Sequence, residues 1–383
     1  MKSKSIFIIF CLLFLAFSFS FMSTWNSAIN GETITTRSWV TWTTLLLCAV
    51  CFFVFLLVNR RNYRGIHIVT LLWLLIMPVI IFINPNNPID FFRTLLWPLL
   101  FETTYLLCYY DRSRVFFMRY LFVIIAVVGS ILFLLTRIDI EKQSNTIYFC
   151  LLTLPWLLLF DMTKRKRILL LLGFTFFAFL SLKRSTMLSM SLIWLFYFLG
   201  EMKRKGNRFN VALIFIILMI AIPAIYNRID DNLEGKLTIR VTHEEQDEGN
   251  YRMAIWAETI ENIKQSSTLE LLLGHGHYGV SRVTFLGLSA HNDFLEVIYD
   301  YGLMIFLLYL FLWYYVIRRC FLLYRQKSTL FFPYAASLSL FIVLSNVSHL
   351  ILYTSYFNYL VMFWGMTEAI VEKLQKKVNY KWL

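Results

Sequence analysis

His291 and Glu296 lie in the stretch AHNDFLEVIYDYG (290–302), at the mouth of a hydrophobic run. An imidazole titrates near neutral pH and can take a proton from a hydroxyl, and a carboxylate in apolar surroundings is the alternative base. Asn292 and Asp293 stand between them as supporting polar groups. Arg184 in SLKRSTM and Arg252 in NYRMAIWAE are set apart from the other basic clusters of the chain. A guanidinium keeps its charge and meets phosphate oxygens bidentately, so this pair suits a diphosphate, with Lys183 as an added point charge. Cations for a departing diphosphate and a base for an attacking hydroxyl are the parts of a group transfer. The plainer alternative is that these are interfacial polar groups at helix ends, where ionisable side chains cost little.

Other polar candidates carry less. The segment GHGHYG (274–279) holds three glycines and two histidines, and reads as a solvated loop. His275, His277 and His243, with Glu244, Glu245 and Asp247, match no strong metal-ligand spacing, so neither metal nor cofactor is expected. No Walker loop, nucleophile elbow or zincin motif occurs in the sequence.

The elements that must position these groups are membrane helices. Of 383 residues, 59% are hydrophobic and only 15% charged, too few to coat a soluble protein of this size. Apolar runs fall at 5–22, 40–58, 66–83, 91–110, 115–135, 147–160, 168–182, 186–200, 210–226, 301–317, 331–350 and 354–371. Runs of this length suit a hydrocarbon layer ~30 Å thick at ~1.5 Å per helical residue. The expected fold is therefore an all-α membrane protein of about twelve spans, with an uncleaved first span. Cys48 and Cys51 fall inside a span, where packing is the expected role.

Charge supplies the orientation. The net charge of +13 is gathered in clusters such as Arg60, Arg61 and Arg64, the run Lys164 to Arg167, and Arg318, Arg319 and Arg325. Positive-inside asymmetry accounts for such clusters and puts both termini in the cytoplasm, and nucleic acid is not expected as a partner. A break at Lys183-Arg184 yields two short spans in place of one helix of excessive length. Three regions result: 1–226 with about nine spans, a large external loop at 227–300, and 301–383 with about three spans and a cytoplasmic tail. Within the loop, 251–273 reads as an amphipathic helix on the membrane surface. Ser289 is expected to cap a helix that continues into 301–317 and lifts His291 to or above the outer interface. Asn292 and Glu296 would share a face of that helix, with His291 turned away.

Taken together, SLKRSTM, NYRMAIWAE with a GHG-type turn downstream, and AHNDFLEVIYDYG resemble the O-antigen ligase and polymerase superfamily of bacterial envelope enzymes. The large external loop near the C-terminal third is also similar to that family, and the motifs cover about 180–305. The resemblance implies a GT-C-like, metal-independent glycosyltransferase of the bacterial inner membrane acting on undecaprenyl diphosphate-linked glycan. It implies that Arg184 and Arg252 hold the donor diphosphate and that His291 activates the acceptor hydroxyl, with Glu296 the other choice of base. Membrane lipid and other polysaccharide-assembly proteins are the implied partners. The last motif looks more like capsule and O-antigen polymerases than ligases, which transfer finished glycan to lipid A core. A lipid-linked oligosaccharide flippase is the competitor from another class, disfavoured because few charges lie at mid-span and the halves show no repeat.

Overall fold

The computed structural model describes residues 3–29, 43–50, 52–53, 65–83, 94–111, 113–137, 146–181, 183–205, 248–348, 350–351 and 354–379. No strand occurs among the described residues. The helices are α1 (Ser3–Ile29), α2 (Ile66–Ile83), α3 (Leu96–Tyr110), α4 (Ser113–Leu135), α5 (Ile147–Leu157), α6 (Lys164–Leu180) and α7 (Arg184–Lys205). There follow α8 (Glu248–Gln265), α9 (Thr268–Leu273), α10 (Gly279–Val283), α11 (Asp293–Arg325), α12 (Phe331–Val347) and α13 (Thr354–Asn379). Each expected apolar run carries helix except 210–226, which lies outside the described residues, as do Cys51, His243, Glu244, Glu245 and Asp247.

Among the described residues, four helices are long and apolar enough to cross a membrane: Ile66–Ile83, Ser113–Leu135, Arg184–Met202 and Asp293–Arg325. The distribution of polarity agrees, since large apolar side chains such as Leu75, Phe82, Phe117 and Phe311 face outward while Glu102 and Thr70 are buried. A soluble protein has the reverse arrangement. This is a membrane protein.

The core is organised around α13, which packs along α3. Their close crossing depends on Gly365, where an added Cβ would come within 2.4 Å of the Phe101 carbonyl oxygen. Small residues serve this purpose between apolar helices, where dispersion rather than water exclusion drives contact. Aromatic rings fill the remaining space: Phe122 stacks on Trp156 at 3.9 Å, and Trp97 meets Trp73 at 5.0 Å. Glu102 accepts from Thr70 at 2.5 Å and pairs with His67 at 3.0 Å, so this mid-span charge is partnered across α2 and α3.

The expected break in 168–200 is present. α6 ends at Leu180 and α7 begins at Arg184, and the turn is tied by Ser181 Oγ to Thr186 Oγ1 at 2.9 Å. Thr186 also donates to the Lys183 carbonyl at 2.7 Å. Such hydroxyl-to-backbone bonds satisfy the peptide groups that a helix end releases.

Candidate functional site

The expectation of one helix running from 291 into the 301–317 span is overturned at Gly302. Its backbone lies at φ 77°, ψ 177°, which interrupts α11 and divides it into a first arm, 293–301, and a second, 303–325. Phe294 on the first arm meets Trp313 on the second, with ring centroids 5.4 Å apart. In a straight helix these residues would lie ~28 Å apart along the axis, so the chain folds back at Gly302 and lays one arm against the other. The polar turn is consequently turned into the protein, not raised above it. Asp293, Glu296 and Asp300 are all fully buried. They follow one another at helical spacings of three and four, which places them on one face of the arm.

The cap also differs from expectation. Asn292, not Ser289, is the N-cap: its side-chain oxygen accepts from the N–H groups of Phe294 and Leu295. Asn292 has the extended backbone that a cap requires, φ −148° and ψ 109°. His291 just before it adopts a left-handed φ of 53°. Its N–H donates to Glu296 Oε1 at 3.0 Å, so the two candidate bases are joined through the backbone although their spacing had separated them. Asp293 is equally committed, accepting from Tyr309 Oη at 3.1 Å and from the Ile351 N–H at 3.2 Å.

The GHGHYG segment is not a solvated loop. Because Gly302 interrupts the helix, the Tyr299 and Asp300 carbonyls are taken up by the segment instead: His275 N–H donates to Tyr299 at 3.0 Å and Gly276 N–H to Asp300 at 2.9 Å. Glycine is needed on both sides of this crossing. A Cβ on Gly274 would come within 2.3 Å of the Asp300 carbonyl oxygen, and one on Gly302 within 2.3 Å of the Leu272 carbonyl oxygen. His275 stacks on Tyr299 with centroids 4.1 Å apart, and His277 bonds the Tyr301 hydroxyl at 2.6 Å. Arg282 gathers the segment by donating to the carbonyls of His275 and His277 at 2.6 and 2.7 Å. Asp300, not foreseen as a site residue, accepts from the Val280 N–H at 3.0 Å and ties α10 to the first arm. The acidic spacing 293, 296, 300 was the signal that pointed to it.

The expected surface helix at 251–273 is two helices broken at Ser266 and Ser267, and α8 packs against the first arm. Ile255, Val280, Ala290 and Tyr299 form a small apolar cluster there. Trp256 Nε1 donates to the Ala290 carbonyl at 2.6 Å, next to His291. Arg252, half-buried, lies one turn before Trp256 and on the same side of α8. In α9, Ser267 and Glu270 cap each other reciprocally, and the bonds from Ser267 hold the Glu270 carboxyl below its ordinary range.

Lys183 and Arg184 open α7 at the same end of the bundle. Lys183 Nζ lies 5.0 Å from the Tyr148 ring centre, and the Tyr148 hydroxyl bonds Ser185 at 2.7 Å. Tyr148 in turn touches Tyr356, near the start of α13, with centroids 5.5 Å apart, and Ile351 shortly before it holds Asp293. A ring-and-backbone relay thus connects the α7 turn to the first arm. Among the described residues, no three His, Cys, Asp or Glu side chains converge as metal ligands would.

Residues 168–310 match the model of a family described as O-antigen ligase. The match covers the α7 turn, α8, the GHG segment, both candidate bases and the Gly302 fold. No curated protein matches the chain.

Proposed function

On the premise that this chain is a member of the O-antigen ligase and polymerase superfamily, we propose that it is a polysaccharide polymerase. It transfers a growing O-antigen or capsule glycan from undecaprenyl diphosphate to the next lipid-linked repeat unit, on the outer face of the bacterial inner membrane. The proposed frame is GT-C-like with about twelve spans, both termini cytoplasmic, and regions 1–226, 227–300 and 301–383. The observation that carries the reading is the junction of α8 with the first arm, where the Trp256 bond to Ala290 brings the Arg252 side of α8 beside His291.

In the proposed reaction His291 takes the proton of the acceptor hydroxyl as its oxygen attacks the anomeric carbon. The bond from that carbon to the diphosphate oxygen breaks, and the electron pair leaves with the lipid diphosphate. Arg184, Arg252 and Lys183 neutralise the charge that develops on this leaving group. No metal is invoked in this scheme. Glu296 has a supporting part: its carboxyl oxygen accepts from the His291 N–H and holds the imidazole-bearing residue in its left-handed conformation. Asn292 and Asp293 anchor the arm, by capping it and by bonding Tyr309 and Ile351.

Replacing Arg252 or His291 by Ala is expected to abolish long-chain glycan while membrane abundance stays unchanged. Full-length polymer in both variants would overturn the assignment. Glycan banding in a deletion strain separates the neighbouring activities. Single-repeat product supports polymerisation, long but unattached lipid-linked glycan indicates ligation, and units retained on the cytoplasmic face indicate a flippase. The family description favours ligation as the second reading.

A further inference from the structure

Six large apolar side chains between α9 and the first arm are exposed: Leu269, Leu272, Val283, Phe285, Leu286 and Leu288. Leu269 is 62% exposed and Phe285 61%, values otherwise typical here of the outward faces of spanning helices. Leu269 and Leu272 belong to α9, which runs directly into the segment that straps Gly302, and the Leu272 carbonyl abuts Gly302 itself, while Val283 to Leu288 follow that strap on the way to the first arm. Below that point the second arm of α11 shows an outward apolar stripe through Met304, Leu307, Phe311 and Ile317. The apolar surface therefore continues from a membrane-spanning helix onto α9 at the level of the fold.

Length makes the continuity informative. From Gly302 to Arg318, where the inner basic cluster begins, sixteen residues rise only ~24 Å. The hydrocarbon layer is ~30 Å thick. Several ångströms of outer-leaflet acyl chain must then meet protein beyond Gly302, at the level of α9 and the 283–288 segment. Exposed leucine and phenylalanine satisfy that environment, while charged groups would not. The exposed Glu270, its carboxylate held by Ser267, marks the polar edge of the same short helix.

We infer that α9 and residues 283–288 form an apolar collar embedded in the outer-leaflet acyl chains, which fixes the depth of the neighbouring polar arm within the membrane. The inference relies on the proposed orientation, with Arg318 inward, but on none of the proposed chemistry.

The test uses the full chain in liposomes, spin-labelled at Leu269→Cys or Phe285→Cys, with Lys264→Cys on the charged face of α8 as a reference. Labels at 269 and 285 are expected to collide several-fold more with oxygen than with a water-soluble nickel chelate, and the label at 264 to show the reverse. Chelate collisions at 269 and 285 equal to those at 264 would overturn the collar. Low collision rates with both reagents would also overturn it, since they would mean that another segment or a second copy covers the patch. Absence of glycan transfer by the unsubstituted chain in the same liposomes, with the acyl signature present at 269 and 285, would refute the proposed activity and leave the collar standing.

Discussion

Tyr309 donates its hydroxyl to Asp293, sixteen residues earlier in the same helix, at 3.1 Å. A continuous helix would hold these residues ~24 Å apart along its axis, so the bond exists only because the chain reverses at Gly302. This one contact reports on the geometry that gives the candidate site its buried, polar arm.

Gly302→Ala is expected to cost of order 3 kcal/mol, since it combines an unfavourable positive φ with a backbone clash at Leu272. Gly274→Ala, on the other side of the same crossing, should cost a similar amount, and the double variant less than the sum because both break one contact. Thermal midpoints in detergent would check this. Additive losses would mean that the two glycines act separately.

Asp293→Ala removes the acceptor for two buried donors, the Tyr309 hydroxyl and the Ile351 N–H, and should destabilise by roughly 2–4 kcal/mol. Asp293→Asn keeps an oxygen in place and should lose about 1 kcal/mol. Equal losses in Asn and Ala would show that the negative charge, not the acceptor, is what the site requires.

Glu296 offers a choice between two roles. If it positions His291 by accepting its N–H, Glu296→Gln should keep glycan transfer within a few-fold of the parent while Glu296→Ala lowers it ~10-fold or more. If it is the base, Gln and Ala should both lose ~100-fold or more. Transfer rates at matched membrane abundance decide the matter.

Glu270 supplies a pH dependence. Its folded pKa is depressed by bonds from Ser267, so its contribution to α9 is complete above the unfolded value, near 4.5, and is lost as pH falls through the lower folded value. The protection of the 267–273 amides against hydrogen exchange, relative to their intrinsic rates at each pH, should fall on acidification through that window. Ser267→Ala should raise exchange already at neutral pH and flatten the acid response. An unchanged profile in the variant would remove the capping box as the cause.

The membrane character and the apolar helices were legible because a hydrocarbon layer sets both the length and the polarity of any helix that crosses it, and the Lys183-Arg184 break followed from the same length limit. The reversal at Gly302 was not legible. A glycine within an apolar run has no local mark distinguishing a tolerated helical glycine from a fold, and the partners that settle it, Leu272 and Gly274, lie some thirty residues away. GHGHYG misled for a related reason: histidine and glycine are loop types, and the carbonyls that bury the segment exist only once the helix is broken. Arg184 and Arg252 stood out because they lie apart from the basic clusters that gather the other cations, and His291 because it belongs to a polar stretch at the mouth of an apolar run. The bond from His291 to Glu296 was missed because helical spacing was applied to a residue that lies just outside the helix.

The strap across the reversal also limits where this molecule can yield. Pulling GHGHYG away would strand the Tyr299 and Asp300 carbonyls in an apolar medium that offers no replacement donor. Any local opening of this region is therefore cheaper at the serine pair joining α8 to α9, whose bonds water can replace, while the elbow itself moves as a rigid piece.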